Sequence, residues 1–217
     1  MLRNLQKLKE IRQNLEEHIK KEVQGFKITS KKDSKLMKAL SFLLFFNKSF
    51  MTRYISVIGS TMYVPELPWK ADDDYSAIVV LAHELKHLQD SREFPIIFEL
   101  SYLFPQILSI FSVLAVFFGP YWLFCLLFLL PIPSPTRTYW EFRAFVNTLA
   151  VYCWFFEDFD DIEHILKQFS GPYYYFMGFG FTWIVKRALQ AELKRLREED
   201  LREDLKVLKE IINPSEP

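Results

Sequence analysis

From Pro95 to Pro131 the chain is almost continuously apolar, PIIFELSYLFPQILSIFSVLAVFFGPYWLFCLLFLLP, and Glu99 is the only ionisable carboxylate within it. Such a run is longer than the roughly 20 residues that one helix needs to cross a bilayer. Gly119-Pro120 interrupts it as a breaker pair, where a hairpin turn is expected. The pattern predicts two membrane helices, over about 96–118 and about 121–132, the second short or re-entrant. The rival arrangement is a helical hairpin buried in a soluble core. A chain of 217 residues has little else with which to cover so much apolar surface.

The remaining sequence is of a different kind. Lys, Arg and Glu concentrate at the two ends, so a formal net charge of zero, from 27 basic and 27 acidic residues, hides a charged periphery and an apolar centre. The balance gives no support for a nucleic-acid binder, which normally carries a basic excess. With 22 Phe and only 6 Gly, the composition suits helices that bury large side chains. Cys125 and Cys153 form no CxxC pair, which argues against a cysteine zinc site or a disulfide framework. The first residues, MLRNLQKLKEIRQNLEEHIKKE, are too charged for a secretory signal peptide.

Five segments follow from the pattern. Residues 1–50 read as N-terminal helices, the first over 2–23 with Leu5, Leu8, Leu15 and Ile19 at helical spacing. Residues 51–94 hold a short strand or hairpin (YISVIGSTMYVP, with Gly59-Ser60 in its middle) and a helix over 76–91 with a stripe of Ile78, Leu81, Leu85 and Leu88. Residues 95–133 are the apolar hairpin. Residues 134–185 carry a helix of mixed polarity, an acidic helical stretch over 157–169 and an aromatic segment. Residues 186–217 contain a long charged helix over 186–212, striped by Leu189, Leu193, Leu196, Leu201, Leu205 and Leu208 and suited to packing or oligomerisation. The expected fold is mainly α with a small β element.

The helix over 76–91 contains His83-Glu84-Leu85-Lys86-His87, an HExxH motif. Residues four apart share one helix face, so both imidazoles can reach the same ion. A zinc ion held there lowers the pKa of water toward ~7, and Glu84 is placed to take the proton. A chance HExxH belongs on a solvated helix. This one follows Ile78, Val79, Val80, Leu81 and Ala82, and polar groups buried in such a setting need partners or a metal.

A catalytic zinc site needs a third protein ligand and an open position. His18 and His164 lie in charged surroundings and read as surface residues. Glu141, in TYWEFRAFVNTLA, is the better candidate, because a carboxylate among aromatic neighbours calls for a partner. Glu99, inside the apolar run, is its rival. Asp90 follows His87 by three residues and is a candidate acceptor for a ligating imidazole. Arg143 and Asn147 share a side of the Glu141 helix and are candidates for orienting Glu141 or binding substrate. Tyr139 and the cluster Tyr173 to Tyr175 are candidate oxyanion donors.

HExxH followed by a Glu on a later helix, in an ExxA setting (Glu141, Phe142, Arg143, Ala144), resembles the gluzincin branch of the zinc peptidases. The apolar hairpin between motif and Glu resembles the membrane-embedded gluzincins of the HtpX and CAAX prenyl protease type. The size resembles phage and bacterial minigluzincins. The likeness covers about residues 50–155. It implies a zincin-like core, one Zn²⁺ per chain on His83, His87 and Glu141, Glu84 as general base, and an edge strand near Tyr54 to Val64 that a peptide substrate extends. One position departs from that pattern: Phe145 stands where the family usually has Asp.

If Glu141 joins the two histidines at one metal, the apolar segment must return to the side it left. Basic residues flank both ends, Lys86 and Arg92 before, Arg137 and Arg143 after, which predicts a cytoplasmic catalytic part. The expected function is a membrane-associated zinc endopeptidase, with a peptide or protein substrate, the lipid bilayer as partner through residues 95–133, and self-association through 186–212. The alternatives are a non-enzymatic membrane-inserting structural or assembly protein, such as a phage virion component that keeps a zincin domain, and a zinc-binding regulator of a membrane partner. Glu84 counts against the first of these, since a purely structural site does not need that residue.

Overall fold

The computed structural model of the chain describes residues 2–43, 50–52, 55–65, 74–130, 132–156, 159, 161–171 and 176–213. The chain divides into two compact units: Met1–Leu88 with Lys206–Pro217, and Gln89–Leu205.

In the first unit, helix α1 (Leu2–Glu22) buries Ile11, Leu15 and Ile19. Its apolar stripe starts one turn later than the sequence suggests, since Leu5 is exposed. Gly25, at φ 80°, releases the chain into strand β1 (Lys27–Ser30). The reading of residues 1–50 as helices alone is therefore corrected. Four residues are too short to show a periodicity of two, and β1 is defined by its partner. It pairs in parallel with β3 (Thr61–Val64), and β3 pairs antiparallel with β2 (Ser56–Ile58), giving the order β1-β3-β2. The β2–β3 turn is Gly59-Ser60, with Gly59 at φ 58°, a left-handed conformation that glycine adopts without steric cost. Helix α2 (Lys35–Leu43) follows β1 and buries Met37.

Helix α3 (Asp74–Glu93) runs through the end of the first unit and into the second. Its first residue, Asp74, accepts a hydrogen bond from Arg12 of α1 at 3.0 Å and places a negative charge at the positive end of the helix dipole. Ile78, Leu81, Leu85 and Leu88 are all buried.

The second unit is built on helix α6 (Pro135–Phe155). Ser134 caps it, accepting from the Arg137 N–H, and Pro135 occupies the first turn, where no backbone donor is needed. From Ala144 to Val151 every residue is buried. Helix α7 (Ile162–Ser170) starts at the N-cap Asp161, later than the acidic stretch suggests. Helix α8 (Thr182–Arg197) packs with α6 and α7.

The predicted single helix over 186–212 is two. A left-handed Glu199 (φ 58°) closes α8, with Asp200 N–H bonding the Arg195 carbonyl and Glu199 N–H the Leu196 carbonyl, a Schellman arrangement. Helix α9 (Glu203–Ile212) then restarts the apolar stripe. Three successive acids, Glu198, Glu199 and Asp200, oppose helix continuation at a C-terminus, whose dipole end is negative.

The apolar segment differs most from expectation. Instead of two helices over 96–118 and 121–132, it forms helix α4 (Ile97–Leu103), a 3-10 segment Gln106–Leu114, a single turn α5 (Ala115–Phe118) and a second 3-10 segment Pro120–Leu129. Pro105 explains the first break: it forces Phe104 into an extended conformation (ψ 138°) and offers no N–H. Gly119, at φ 101°, makes the second. Among the described residues no single helix is long and apolar enough to cross a membrane. The pair Ile97–Leu103 and Gln106–Phe118, bent by 83°, passes by length and composition.

Leu149 lies at the middle of α6, fully buried. Leu149→Ala should cost about 2–5 kcal/mol of stability by lost transfer energy and a residual cavity. Urea titration against wild type checks this.

Candidate metal centre

The α-helical rise puts His83 and His87 one turn apart on α3, and their rings meet edge to face with centroids 5.0 Å apart. Both are buried, and Glu84 between them is half-buried. Glu141 lies in the second turn of α6 at 1% exposure. Ligand atoms of His83, His87 and Glu141 all lie within 4.8 Å of one another, so this buried group can hold a metal ion. Two imidazoles and a carboxylate make a three-donor set that leaves one tetrahedral position open, the arrangement of catalytic rather than closed structural sites. A buried carboxylate beside two buried imidazoles is costly without such compensation.

A polar frame surrounds Glu141 within the second unit. The Tyr102 hydroxyl, from the last turn of α4, donates to Glu141 Oε1. Asp90, fully buried in the last turns of α3, accepts from Arg143 Nη2 at 2.8 Å. Arg143 also donates to the Tyr139 hydroxyl at 3.0 Å and approaches Glu93 at 4.0 Å. Asp90, expected from the sequence as a candidate acceptor for a ligating imidazole, is the ion-pair partner of Arg143. Asp90 is fully buried in this pair, whereas the Arg143 side chain keeps 21% exposure. Asn147 is buried one turn beyond Arg143.

The other sequence candidates separate cleanly. Glu99 is exposed and accepts from Ser91 Oγ at 2.9 Å, outside the triad. His164 is exposed and His18 half-buried, and neither joins the triad. Tyr139 is 52% exposed, with its hydroxyl on Arg143. Tyr173 to Tyr175 lie outside the described residues.

Two residues were not singled out from sequence. Tyr102 is one; its only signal was a hydroxyl in an otherwise apolar run, where a buried phenol needs a partner. Lys31 is the other. Just past β1, it is fully buried, with Nζ donating at 2.9 Å to both the Phe50 carbonyl and Ser56 Oγ and lying 3.9 Å from the centre of the Phe50 ring. It fastens strand β2, through Ser56, to the end of β1. Burial pushes the Lys31 ammonium down to about 8, against the opposing field of the Glu84 carboxylate. A cation thus lies within electrostatic reach of the HExxH glutamate.

Comparison with family models, curated proteins and solved structures gives no match to this chain.

The lowered Lys31 value has a signed consequence. Between about pH 8 and about pH 10.5 the unfolded chain holds a proton that the folded chain has released, so stability from this group rises with pH across that window. The stability of wild type relative to Lys31→Met should therefore increase from neutral pH through this range, measured as paired urea midpoints. A pH-independent difference would contradict the assignment.

Proposed function

We propose that the chain is a zinc-dependent endopeptidase of the gluzincin kind. The observation that carries this reading is the convergence of His83, His87 and Glu141, within 4.8 Å, in a buried group that shares α3 with a half-buried Glu84. Zinc suits a set of two nitrogens and one carboxylate oxygen better than calcium or magnesium, which prefer oxygen ligands.

A zinc ion at this site supplies Lewis acidity, lowering the pKa of water to about 7 and polarising a carbonyl oxygen. The residues of the chain do the rest. Glu84, beside His83 on α3 and outside the ligand group, would take a proton from the attacking water and return it to the departing amine nitrogen. His83 and His87 act in their neutral form as nitrogen donors, and Glu141 contributes the negative charge that balances the ion. The Asp90–Arg143 pair ties the end of α3 to α6 and so holds the frame from which Glu141 projects. Strand β2, anchored by Lys31, is an edge of the three-stranded sheet and offers a surface for an extended peptide.

The second element of the proposal is a lipid surface as partner. From Gln106 to Leu130 no residue is buried, and Val116, Phe117, Phe118 and Tyr121 are at least 69% exposed. No Asp, Glu, Lys, Arg or His occurs between Leu100 and Thr136. An exposed apolar surface of that extent, without a single charge, matches a hydrocarbon environment and not a polar-rimmed protein interface. The chain leaves and re-enters this segment on one side, since residues 101–106 are hydrogen-bonded to residues 134–137. A spanning or dipping loop of that form keeps both halves of the metal site in the same compartment.

Purified wild type should contain about one zinc per chain and cleave a fluorescent casein substrate. Glu84→Gln should keep zinc and fold but lose cleavage by at least about 100-fold, the usual scale of a lost general base. His87→Ala and Glu141→Ala should lose zinc. A zinc-loaded wild type with no cleavage of any casein or peptide pool would favour the structural role instead. In flotation with phosphatidylcholine–phosphatidylglycerol vesicles, wild type should rise with the lipid, whereas Val116→Asp/Phe117→Asp should remain below. Equal flotation of both would refute lipid contact through this segment.

A further inference from the structure

We propose that Tyr102 is a positioning residue for Glu141, so that the first helix of the apolar segment is a working part of the metal site. This inference rests on the reading of His83, His87 and Glu141 as a zinc centre.

The argument begins with Glu141. Its carboxylate is at the end of a side chain whose last torsion is broad, so nothing intrinsic to glutamate fixes which oxygen faces an ion. A hydroxyl donated to one oxygen removes that freedom, and the Tyr102 hydroxyl donates to Oε1. The bond is part-buried, with Glu141 at 1% exposure, and a hydrogen bond to a desolvated carboxylate is strong and its loss costly. Partners of this sort around a ligand typically contribute roughly 10- to 100-fold in metal affinity.

Tyr102 is itself held in place. Arg137 Nε donates to its carbonyl at 3.0 Å, the Arg137 guanidinium lies over its ring at 5.3 Å, and Nη2 reaches Gln106 Oε1 at 2.9 Å. Phe98 flanks the ring, with centroids 5.6 Å apart. Next to it, Ser101 receives Trp140 Nε1 on its hydroxyl at 2.8 Å and Thr136 Oγ1 on its carbonyl at 2.6 Å, and Ser134 Oγ donates to the Phe104 carbonyl at 2.6 Å. Four side chains, those of Ser134, Thr136, Arg137 and Trp140, thus grip residues 101–106. Such investment in polar bonds is unexpected at the foot of a segment that is otherwise apolar and unburied. It is explained if the foot must deliver one hydroxyl to one carboxylate, with Arg137, which bonds the Tyr102 carbonyl and lies over its ring, as the main support and the Ser101–Trp140 bond as a peripheral one.

Tyr102→Phe tests this, since it deletes the hydroxyl and keeps the ring with its Phe98 and Arg137 contacts. The control is Ser101→Ala, which removes a bond between the same two helices, to Trp140, without touching Glu141. Zinc affinity is measured by competition with a chromophoric chelator, and the visible absorption bands of the Co²⁺-loaded protein report ligand geometry. Tyr102→Phe should weaken zinc by roughly 10- to 100-fold and shift the Co²⁺ bands. Ser101→Ala should leave the bands in place and change affinity by less than about 3-fold. Unchanged affinity and bands in Tyr102→Phe would overturn the proposal. So would an equal loss in both variants, which would mark general loosening of the helix pair. Absence of zinc from wild type is a separate failure: it removes the metal centre itself.

Discussion

Desolvation of Glu141 is the constraint around which this molecule is arranged. A carboxylate taken almost wholly out of water, close to two buried imidazoles, is unfavourable unless charge and hydrogen bonds compensate it. The compensation comes from several directions: a phenol from α4, the histidine pair from α3, and a neighbouring Asp90–Arg143 ion pair that fixes the helix carrying it. A metal ion, which the group could hold, would add to that balance of charge. Each of these groups is costly alone and stable only in the company of the others. That interdependence is why the triad, and not the HExxH motif in isolation, carries the functional reading.

The apolar segment obeys a different physics. Its foot is polar, bonded and specific, whereas its body from Gln106 to Leu130 has no buried residue at all. Interior packing, which decides the shape of α6, plays little part there. Pro105 and Gly119 divide the segment into short pieces, and 3-10 geometry takes over where a long helix would be expected from composition. A lipid surroundings would supply what the chain does not, since hydrocarbon accepts apolar side chains but demands that backbone groups find partners within the segment. In the proposed reading the segment gives Tyr102 to the metal site and the rest of its length to lipid contact.

Much was legible from the sequence where a local signal existed. The β2–β3 turn at Gly59-Ser60 and the buried stripe Ile78, Leu81, Leu85 and Leu88 each follow from a periodicity or a turn residue that acts at short range. So does the choice of Glu141 over Glu99: one carboxylate lies among aromatic neighbours on a helix of mixed polarity, and the other proves exposed on α4. Errors arose where the deciding interaction was distant or the signals conflicted. Strand β1 depends on β3, thirty-odd residues away, and its four residues carry no pattern of their own. The leucine stripe over 186–212 is continuous in sequence but bends at Glu199, because three acids at a helix end outweigh propensity.

By itself the sequence determined which residues can bind a metal, because ligand type and the four-residue spacing on a helix are local chemistry. It also determined that a long apolar stretch lies between the two halves of the site, because composition does not depend on folding. Only the tertiary structure decided that Glu141 comes within 4.8 Å of both histidines, that Asp90 pairs with Arg143, and that the hydroxyl of Tyr102 meets Glu141. Those outcomes join residues about forty to sixty positions apart. Nothing in a linear pattern encodes such a meeting; it follows from the packing of α4 with α6 and from the bonds that link α3 and α4 to α6.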